Sequence, residues 1–143
     1  MTARALPGEY ELIAEPPTAE EYLLLRQRAG LGPKRLDQAE AAVRGGWAAV
    51  RVIDPDGVTV GMGRVIADGG WYFHIVDMAV LPEHQRRGIG DAILTALIDR
   101  IRAEAPPGAW VNLLADPPGR RLYARHGFSE TAPHSIGMAL TLD

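Results

Sequence analysis

The segment 76–91, VDMAVLPEHQRRGIGD, constrains the fold more than any other part of the chain. Its apolar run ends at Leu81-Pro82, which is the length and boundary of a buried strand. After Gly88 and Gly90, apolar residues recur at helical spacing until Pro106-Pro107-Gly108 end the pattern. The segment therefore predicts a strand, a tight glycine turn and a helix, which together form the first half of a parallel βαβ unit.

The start of that helix is suited to bind an anion. The first backbone N–H groups of a helix have no carbonyl partner within it, and the helix dipole places partial positive charge at the same end. Gly88 and Gly90 carry no side chain that would keep a ligand away from the backbone. The turn 85–91 therefore predicts a phosphate-binding site.

Composition narrows the class of protein. With 143 residues, 47% hydrophobic and 23% charged, the chain suits one compact domain over residues 1–143. A net charge of -3 argues against nucleic-acid binding that depends on an overall positive field. The absence of cysteine excludes disulfides, thiolate metal sites and a cysteine nucleophile. The four histidines lack a metal-ligand spacing, so we expect no metal.

Residues 1–17 contain no apolar stretch as long as a signal peptide or a membrane span. We therefore expect a soluble cytoplasmic protein without membrane contact.

Capping and turn signals place the remaining elements around the glycine turn. Thr18 and Glu21 have the spacing of a capping box and begin a first helix. Turns at Asp54-Pro55-Asp56-Gly57 and Asp68-Gly69-Gly70 separate successive strands. We predict strands at 10–14, 47–53, 58–66, 71–81, 110–114 and 136–142, and helices at 18–30, 36–44, 88–105 and 118–126.

These elements predict an α/β (α+β) fold with one mixed sheet. Strands 71–81 and 110–114 flank the glycine-led helix, so we expect them to be parallel neighbours joined by a right-handed crossover. The hairpins before them make the rest of the sheet antiparallel. Strand 71–81 is apolar on both faces, which indicates a central strand with helices on both faces of the sheet.

Three sequence blocks resemble those of the GNAT superfamily of acyl-CoA-dependent N-acetyltransferases. Gln85-Arg86-Arg87-Gly88-Ile89-Gly90 fully matches the family signature of Gln or Arg, two variable residues, Gly, one variable residue, then Gly or Ala. Met78-Ala79-Val80-Leu81-Pro82 and Leu122-Tyr123-Ala124-Arg125-His126-Gly127-Phe128 resemble two further blocks, in the family's order. The resemblance covers nearly the whole chain and implies the family's fold, in which a splay separates the two central parallel strands.

The resemblance implies that acetyl-CoA is the co-substrate. Backbone groups of the strand would pair with the pantetheine arm as an added strand, and N–H groups of the turn would hold the pyrophosphate. The implied cofactor-binding residues are Met78, Ala79, Val80, Gln85, Arg86, Arg87, Gly88, Ile89, Gly90 and Asp91.

The resemblance also implies that Tyr123 is the general acid that protonates the departing CoA thiolate. With reference pKa values of about 8.5 for a cysteine-like thiol and about 10 for tyrosine, this proton transfer is unfavourable by roughly 2 kcal/mol. Positioning of the two groups in a site without water has to offset that free energy. Because the chain has no cysteine, we expect the acetyl group to pass directly from acetyl-CoA to the acceptor.

The sequence offers two candidates for the base that removes a proton from the amine. Asp77 interrupts an apolar strand, where a carboxylate is costly to bury unless it is paired, and pairing with Arg64 in the adjacent strand is its structural alternative. His74 is the second candidate because imidazole titrates near neutral pH, and its alternative is a strand histidine with satisfied hydrogen bonds. Val76 and Val111 stand where many family members have a glutamate.

The predicted function is transfer of an acetyl group from acetyl-CoA to a primary amine of a small molecule or peptide, by a monomer or homodimer. The missing glutamate leaves a second function open, a catalytically inactive acyl-CoA-binding sensor or interaction module. A nucleotide-binding domain is a third reading, although the chain has neither GxGxxG nor GxxxxGK[ST]. The sequence does not specify the acceptor.

Overall fold

A five-stranded sheet with the order β1-β2-β3-β4-β5 dominates the computed structural model, which describes residues 6–143. Each strand pairs with its neighbour in antiparallel fashion except β4 and β5, which are parallel. The mixed, mostly antiparallel sheet predicted from the sequence is therefore confirmed. The strands are β1 (Glu11–Ile13), β2 (Ala48–Ile53), β3 (Thr59–Ala67), β4 (Tyr72–Val80) and β5 (Trp110–Asn112).

The helices begin where the capping and glycine signals place them. Thr18 Oγ1 accepts the Glu21 N–H at 3.1 Å, and Glu21 Oε1 accepts the Thr18 N–H at 2.8 Å, which closes the predicted capping box. Within residues 6–143 no helix has the length and apolar character needed to cross a bilayer. The helices are α1 (Ala19–Arg28), α2 (Leu36–Gly45), α3 (Ile89–Glu104) and α4 (Arg120–Arg125), with 3-10 turns at Pro82–His84 and Pro117–Gly119.

Both hairpin turns are held by an aspartate side chain. Asp54 Oδ1 accepts the N–H groups of Asp56 and Val58 at 2.9 Å each, and Gly57 takes a left-handed φ of 81°. Asp68 Oδ1 accepts three successive N–H groups, those of residues 70–72, at 2.8–3.1 Å. A short polar side chain that binds its own backbone stabilises such turns, so both predicted hairpins form.

Helices cover both faces of the sheet, as predicted. A Cβ added to Gly63 of β3 would come within 2.7 Å of Ile93 and 3.1 Å of Leu97, so α3 packs directly on the backbone there. The next residue, Arg64, contacts α2 instead, through the carbonyl of Ala42 at 3.5 Å. Because successive strand residues point to opposite faces, α3 lies on one face and α2 on the other.

The chain divides into two compact units, one ending at Leu113 and one running from Leu114 to Asp143. The sheet and α1 to α3 belong to the first unit, and α4 belongs to the second. In the second unit α4 ends as predicted, because Gly127 has a left-handed φ of 94° and Phe128 N–H donates to Tyr123 O at 3.1 Å.

The prediction of a strand at 136–142 is wrong for this chain. These residues have no regular structure, and residues 129–143 are all exposed. An alternating apolar pattern gives a segment two different faces, but a strand also needs a neighbour that pairs with its N–H and C=O groups. No strand of the described residues pairs with this segment.

Candidate active site

The strand β4 has an open edge on the side of β5. β5 pairs with Tyr72, Phe73 and His74, and it ends at Asn112. Among the described residues, no strand lies beside residues 75–80 of β4 on that side. The two parallel strands therefore stop pairing part-way along β4, and a row of backbone groups is left for another partner.

The hydrogen bonds to β3 show which backbone groups face the open edge. The N–H of Leu81 donates to Val60 O at 2.9 Å, so these residues form a hydrogen-bonded pair of the antiparallel ladder. Backbone groups of successive residues alternate in direction, so Ala79 turns its groups toward β3. Met78 and Val80 consequently present their N–H and C=O groups to the open edge.

A bulge at Asp77 interrupts β4 beside this edge. The register with β3 shifts between Val76 and Ala79, where two residues of β4 lie opposite Gly63. Asp77 has a φ of 60°, a left-handed conformation that is uncommon outside glycine. A bulge bends and twists its strand, and bulges are frequent beside active sites. This bulge lies just beyond the last pair between β4 and β5.

The carboxylate of Asp77 is buried and holds three donors. Its side chain is 3% exposed, and Oδ2 accepts from the Tyr22 hydroxyl at 2.6 Å and from Arg64 Nε at 2.7 Å. Arg26 Nη1 donates to Oδ1. The ion pair with Arg64, the structural alternative for Asp77, is thus present. Since Tyr22 and Arg26 belong to α1 and Arg64 to β3, the carboxylate anchors the bulge to both elements.

Burial raises the pKa of Tyr22, and its hydrogen bond to Asp77 acts in the same direction. Tyr22 therefore stays a protonated donor to the carboxylate at neutral pH. The sequence did not connect Tyr22 or Arg26 with Asp77. Their spacing of four residues places both on one face of α1, but nothing in the sequence names the carboxylate that they share.

The turn before α3 has the backbone geometry of an anion site. Arg86 and Gly88 both take left-handed conformations, with φ of 64° and 83°. The first helical bond after the turn runs from Ala92 N–H to Gly88 O at 3.0 Å, so the N–H groups of Ile89 and Gly90 precede it. Those groups have no carbonyl partner within α3. Successive N–H groups in such a turn form a concave surface that favours phosphate.

Side chains connect this turn to β4 and to the start of the chain. Gln85 Nε2 donates to Val80 O at 3.1 Å, which ties the turn to the end of the open edge. Arg87 Nη1 donates to the hydroxyl of Tyr10 at 2.9 Å, and that hydroxyl lies 2.7 Å from His84 Nδ1. Tyr10 was not identified from the sequence, because it carries no motif that points to the turn.

His74 is held in one orientation by Asn112 of β5. Asn112 Nδ2 donates to Phe73 O at 3.3 Å, which leaves its Oδ1 at 2.8 Å from His74 Nδ1. An amide oxygen only accepts hydrogen bonds, so the neutral imidazole carries its proton on Nδ1 in this arrangement. The lone pair is then on Nε2. Asn112 also went unnoticed in the sequence.

Tyr123 lies on α4 in the second unit. Its ring makes an edge contact with Phe128, with centroids 6.1 Å apart, and packs over Gly119, where an added Cβ would come within 2.8 Å of the ring. Burial raises the pKa of the Tyr123 hydroxyl, and the charge of Asp116 adds to that effect. The hydroxyl is therefore protonated at neutral pH, as a general acid has to be before it acts.

A small cavity lies on the α1–α2 face of the sheet. Pro17, Tyr22, Val43 and Met62 form apolar walls, and Asp77 lines one side. The space inside it that a water-sized molecule can occupy is only about 10 Å³, about enough for one water. The cavity suits at most a small chemical group.

Comparison with protein-family models matches residues 46–130 to the acetyltransferase (GNAT) domain. The chain belongs to the GNAT acetyltransferase family. The match spans more than half of the chain and includes the open edge, the bulge, the glycine turn and α4. The family resemblance read from the three sequence blocks is confirmed.

Solved structures of GNAT proteins share the fold. A protein of unknown function from methicillin-resistant Staphylococcus aureus, described as a probable acetyltransferase, is 36% identical with a TM-score of 0.89, and the alignment covers 93% of this chain and 99% of that one. No match was found among curated proteins.

Two more distant structures show the fold alone. The ribosomal-protein-S18-alanine N-acetyltransferase of Escherichia coli is 20% identical with a TM-score of 0.71, covering 86% of this chain and 79% of that one. The glucosamine-6-phosphate N-acetyltransferase of Arabidopsis thaliana is 16% identical with a TM-score of 0.68, covering 94% and 99%.

Within this GNAT chain, the first unit brings together most of the residues nominated from the sequence. Residues 78–80 lie at the open edge, and 85–91 follow directly as the turn and the first residues of α3. His74 and Asp77 lie on β4 before them, and Tyr123 lies on α4.

Proposed function

We propose that the protein is an N-acetyltransferase that transfers an acetyl group from acetyl-CoA directly to a primary amine. The observation that carries the proposal is the open edge of β4 running straight into the glycine turn. Backbone groups of Met78 and Val80 suit an extended amide-containing arm, and the N–H groups of residues 86–91 suit a pyrophosphate. Acetyl-CoA contains both chemical features in that order, joined in one molecule.

Family membership supports the reaction class. The matched segment 46–130 crosses the boundary between the two units, which supports one acetyltransferase domain over residues 1–143. Two proteins with this fold are N-acetyltransferases by description, which favours an amine acceptor. The acceptor amine is a small molecule or a peptide in this proposal.

In the proposed reaction, the amine nitrogen attacks the acetyl carbonyl carbon and the carbon–sulfur bond breaks. The proton leaves the amine for a base, and the CoA thiolate takes a proton from the Tyr123 hydroxyl. Asp77 is a poor choice of base because Tyr22, Arg26 and Arg64 already occupy its oxygens. We therefore propose His74, whose Nε2 carries the lone pair in the orientation that Asn112 imposes.

A change of His74 to glutamine tests the base. We expect kcat/KM near neutral pH to fall by about 10²–10⁴-fold, the usual contribution of a general base. Asp77→Asn serves as the comparison. Asp77 is the other candidate base, and we expect its replacement to lower the free energy of unfolding because its ion pairs are lost. A His74→Gln enzyme with wild-type kinetics would refute this assignment.

Tyr123→Phe tests the acid. It removes only the hydroxyl, so the ring contact with Phe128 is retained. We expect turnover to fall by about 10²-fold or more while CoA binding is unchanged, in line with typical general-acid contributions. Unchanged turnover would exclude the role.

The binding step is tested by thermal unfolding with acetyl-CoA, CoA and ATP. Ligand at a hundredfold excess over Kd should stabilise the protein by about 2.7 kcal/mol, a shift of several degrees. Gly88→Ala should reduce the shift, because a side chain at a left-handed position costs about 1–2 kcal/mol and distorts the turn. No shift with acetyl-CoA would refute the proposal, and a larger shift with ATP would favour a nucleotide site.

An acyl-CoA sensor is the second candidate, and the valines at 76 and 111 in place of a glutamate favour it. Release of free thiol from acetyl-CoA across a panel of amines separates the two functions. Transfer to any amine supports the enzyme, whereas tight binding without transfer supports the sensor.

A further inference from the structure

The hydroxyl of Tyr10 joins two side chains of the segment that contains the glycine turn. Tyr10 lies just before β1, 74 residues from His84 and 77 residues from Arg87, and its hydroxyl contacts both. The rings of Tyr10 and His84 also meet edge to face, with centroids 5.6 Å apart. Because Tyr10 is only 7% exposed, packing as well as hydrogen bonds holds its hydroxyl in place.

The hydrogen bonds of this cluster run in one direction. A guanidinium only donates, so the Tyr10 oxygen accepts from Arg87 Nη1 at 2.9 Å. The buried hydroxyl proton needs an acceptor, and His84 Nδ1 lies 2.7 Å away to take it. The neutral imidazole then carries its own proton on Nε2. The chain of hydrogen bonds from Arg87 through Tyr10 to His84 therefore fixes the position of the guanidinium.

Arg87 is the side chain for which such a partner matters most. It is exposed, and it lies between Arg86 and Gly88, which both have a left-handed φ. A long exposed side chain loses rotamer freedom when it binds a ligand, and a side chain that is already held in one orientation loses less. A guanidinium has five N–H donors, so Arg87 can bind Tyr10 with Nη1 and an anion with another donor.

We propose that Tyr10 is a positioning residue for cofactor binding, which holds the Arg87 guanidinium ready for the pyrophosphate of acetyl-CoA. This inference rests on the proposed function, because it takes the pyrophosphate to lie at the glycine turn. The Tyr10 hydroxyl acts through Arg87 and does not itself touch the cofactor. A neutral hydroxyl orients the guanidinium without cancelling its charge, as a carboxylate would, so the charge still attracts an anion.

A double-mutant cycle on acetyl-CoA binding tests this role. Tyr10→Phe removes only the hydroxyl, and we expect the Kd from titration calorimetry to rise about 3–10-fold, the size of one hydrogen bond. Arg87→Met should raise Kd about tenfold or more at low ionic strength. Adding Tyr10→Phe to Arg87→Met should change Kd by less than about 1.5-fold, because the hydroxyl then has no guanidinium to hold.

Arg86→Met is the matched control, because it removes the same charge from the same turn while the contact to Tyr10 comes from Arg87. In this background Tyr10→Phe should again raise Kd about 3–10-fold. If Tyr10 only stabilised the fold, its replacement would weaken binding equally in every background. An effect of the same size in Arg87→Met as in the wild type therefore overturns the proposal, and so does a Tyr10→Phe protein with the wild-type Kd.

Shortened cofactors show which phosphate Arg87 binds. Acetyl-dephospho-CoA keeps the pyrophosphate and should show the full effect of Tyr10→Phe, whereas acetyl-pantetheine lacks it and should show none. Loss of the effect with acetyl-dephospho-CoA would assign Arg87 to the 3′-phosphate and overturn the proposal, as would an equal effect with acetyl-pantetheine. Failure of the wild type to bind acetyl-CoA would refute the proposed function as well, whereas the other negative results refute only the role of Tyr10.

Discussion

Replacing Asp77 with asparagine should lower the free energy of unfolding by about 3–5 kcal/mol, the usual cost of removing one partner from a buried ion pair. The two guanidinium groups would remain with only 12% and 16% of the Arg26 and Arg64 side chains exposed and without their carboxylate. Asparagine tolerates the left-handed φ of 60° almost as well as aspartate, so the backbone cost is small and the loss reports the charge.

Urea unfolding of the wild type and the variant measures this difference. Against a typical stability of about 5–15 kcal/mol for a domain, the loss is large, and it corresponds to a fall of roughly 10–20 °C in Tm. Asp99→Asn is the matched control, because Asp99 pairs with Arg102 at 3.5 Å and the two side chains are 66% and 74% exposed. That change should cost less than about 1 kcal/mol.

A double-mutant cycle with Arg64→Met assigns the effect to the ion pair. The double variant should lose less stability than the sum of the two single variants, by about 0.5–3 kcal/mol. In Asp77→Asn alone the Arg64 guanidinium is buried without its carboxylate, whereas in the double variant an uncharged methionine takes its place. Equal losses for Asp77→Asn and Asp99→Asn would refute the argument that this carboxylate anchors the bulge.

Two further changes test the packing and the titration of the first unit. Gly63→Ala should cost about 1–3 kcal/mol in urea unfolding, because its Cβ would come within 2.7 Å of Ile93, while Gly45→Ala has open space and should be close to neutral. The pKa of Tyr22 is higher in the folded state than in the unfolded state, so the protonated hydroxyl stabilises the fold. This contribution is complete below the unfolded-state pKa of about 10 and is lost as the pH rises through the folded-state pKa. The urea midpoint should therefore fall more steeply above pH 10 in the wild type than in Tyr22→Phe, and parallel curves would contradict the assignment.

Elements with local signals were predicted well. The capping box at Thr18, the aspartate turn at 54–57 and the helix that follows Gly88 all depend on contacts within about five residues, which a sequence displays directly. The prediction of a strand at 136–142 was wrong because the sequence shows only the alternation of apolar residues. Strand pairing also requires a partner from a distant part of the chain, which the local sequence does not show.

In the candidate site, too, the features that depend on neighbouring residues were predicted and those that depend on distant residues were not. The glycine turn was found because its backbone geometry depends on adjacent residues. The partners of Asp77 are 13, 51 and 55 residues away in the sequence, and only the tertiary structure shows them together. The same holds for Asn112, which orients His74 from 38 residues away.

By itself the sequence determined the family, the order of the elements from the first strand to α4 and the place of the glycine turn, because periodicity, caps and glycines act over a few residues. The tertiary structure decided that Asp77 is buried within an ion-pair network, that β5 pairs with β4 only as far as His74, and that residues 136–142 belong to no strand of the described residues 6–143. Each of these depends on which distant segments pair and pack. A buried polar group stabilises the fold only when this packing brings hydrogen-bonding or charged partners to it.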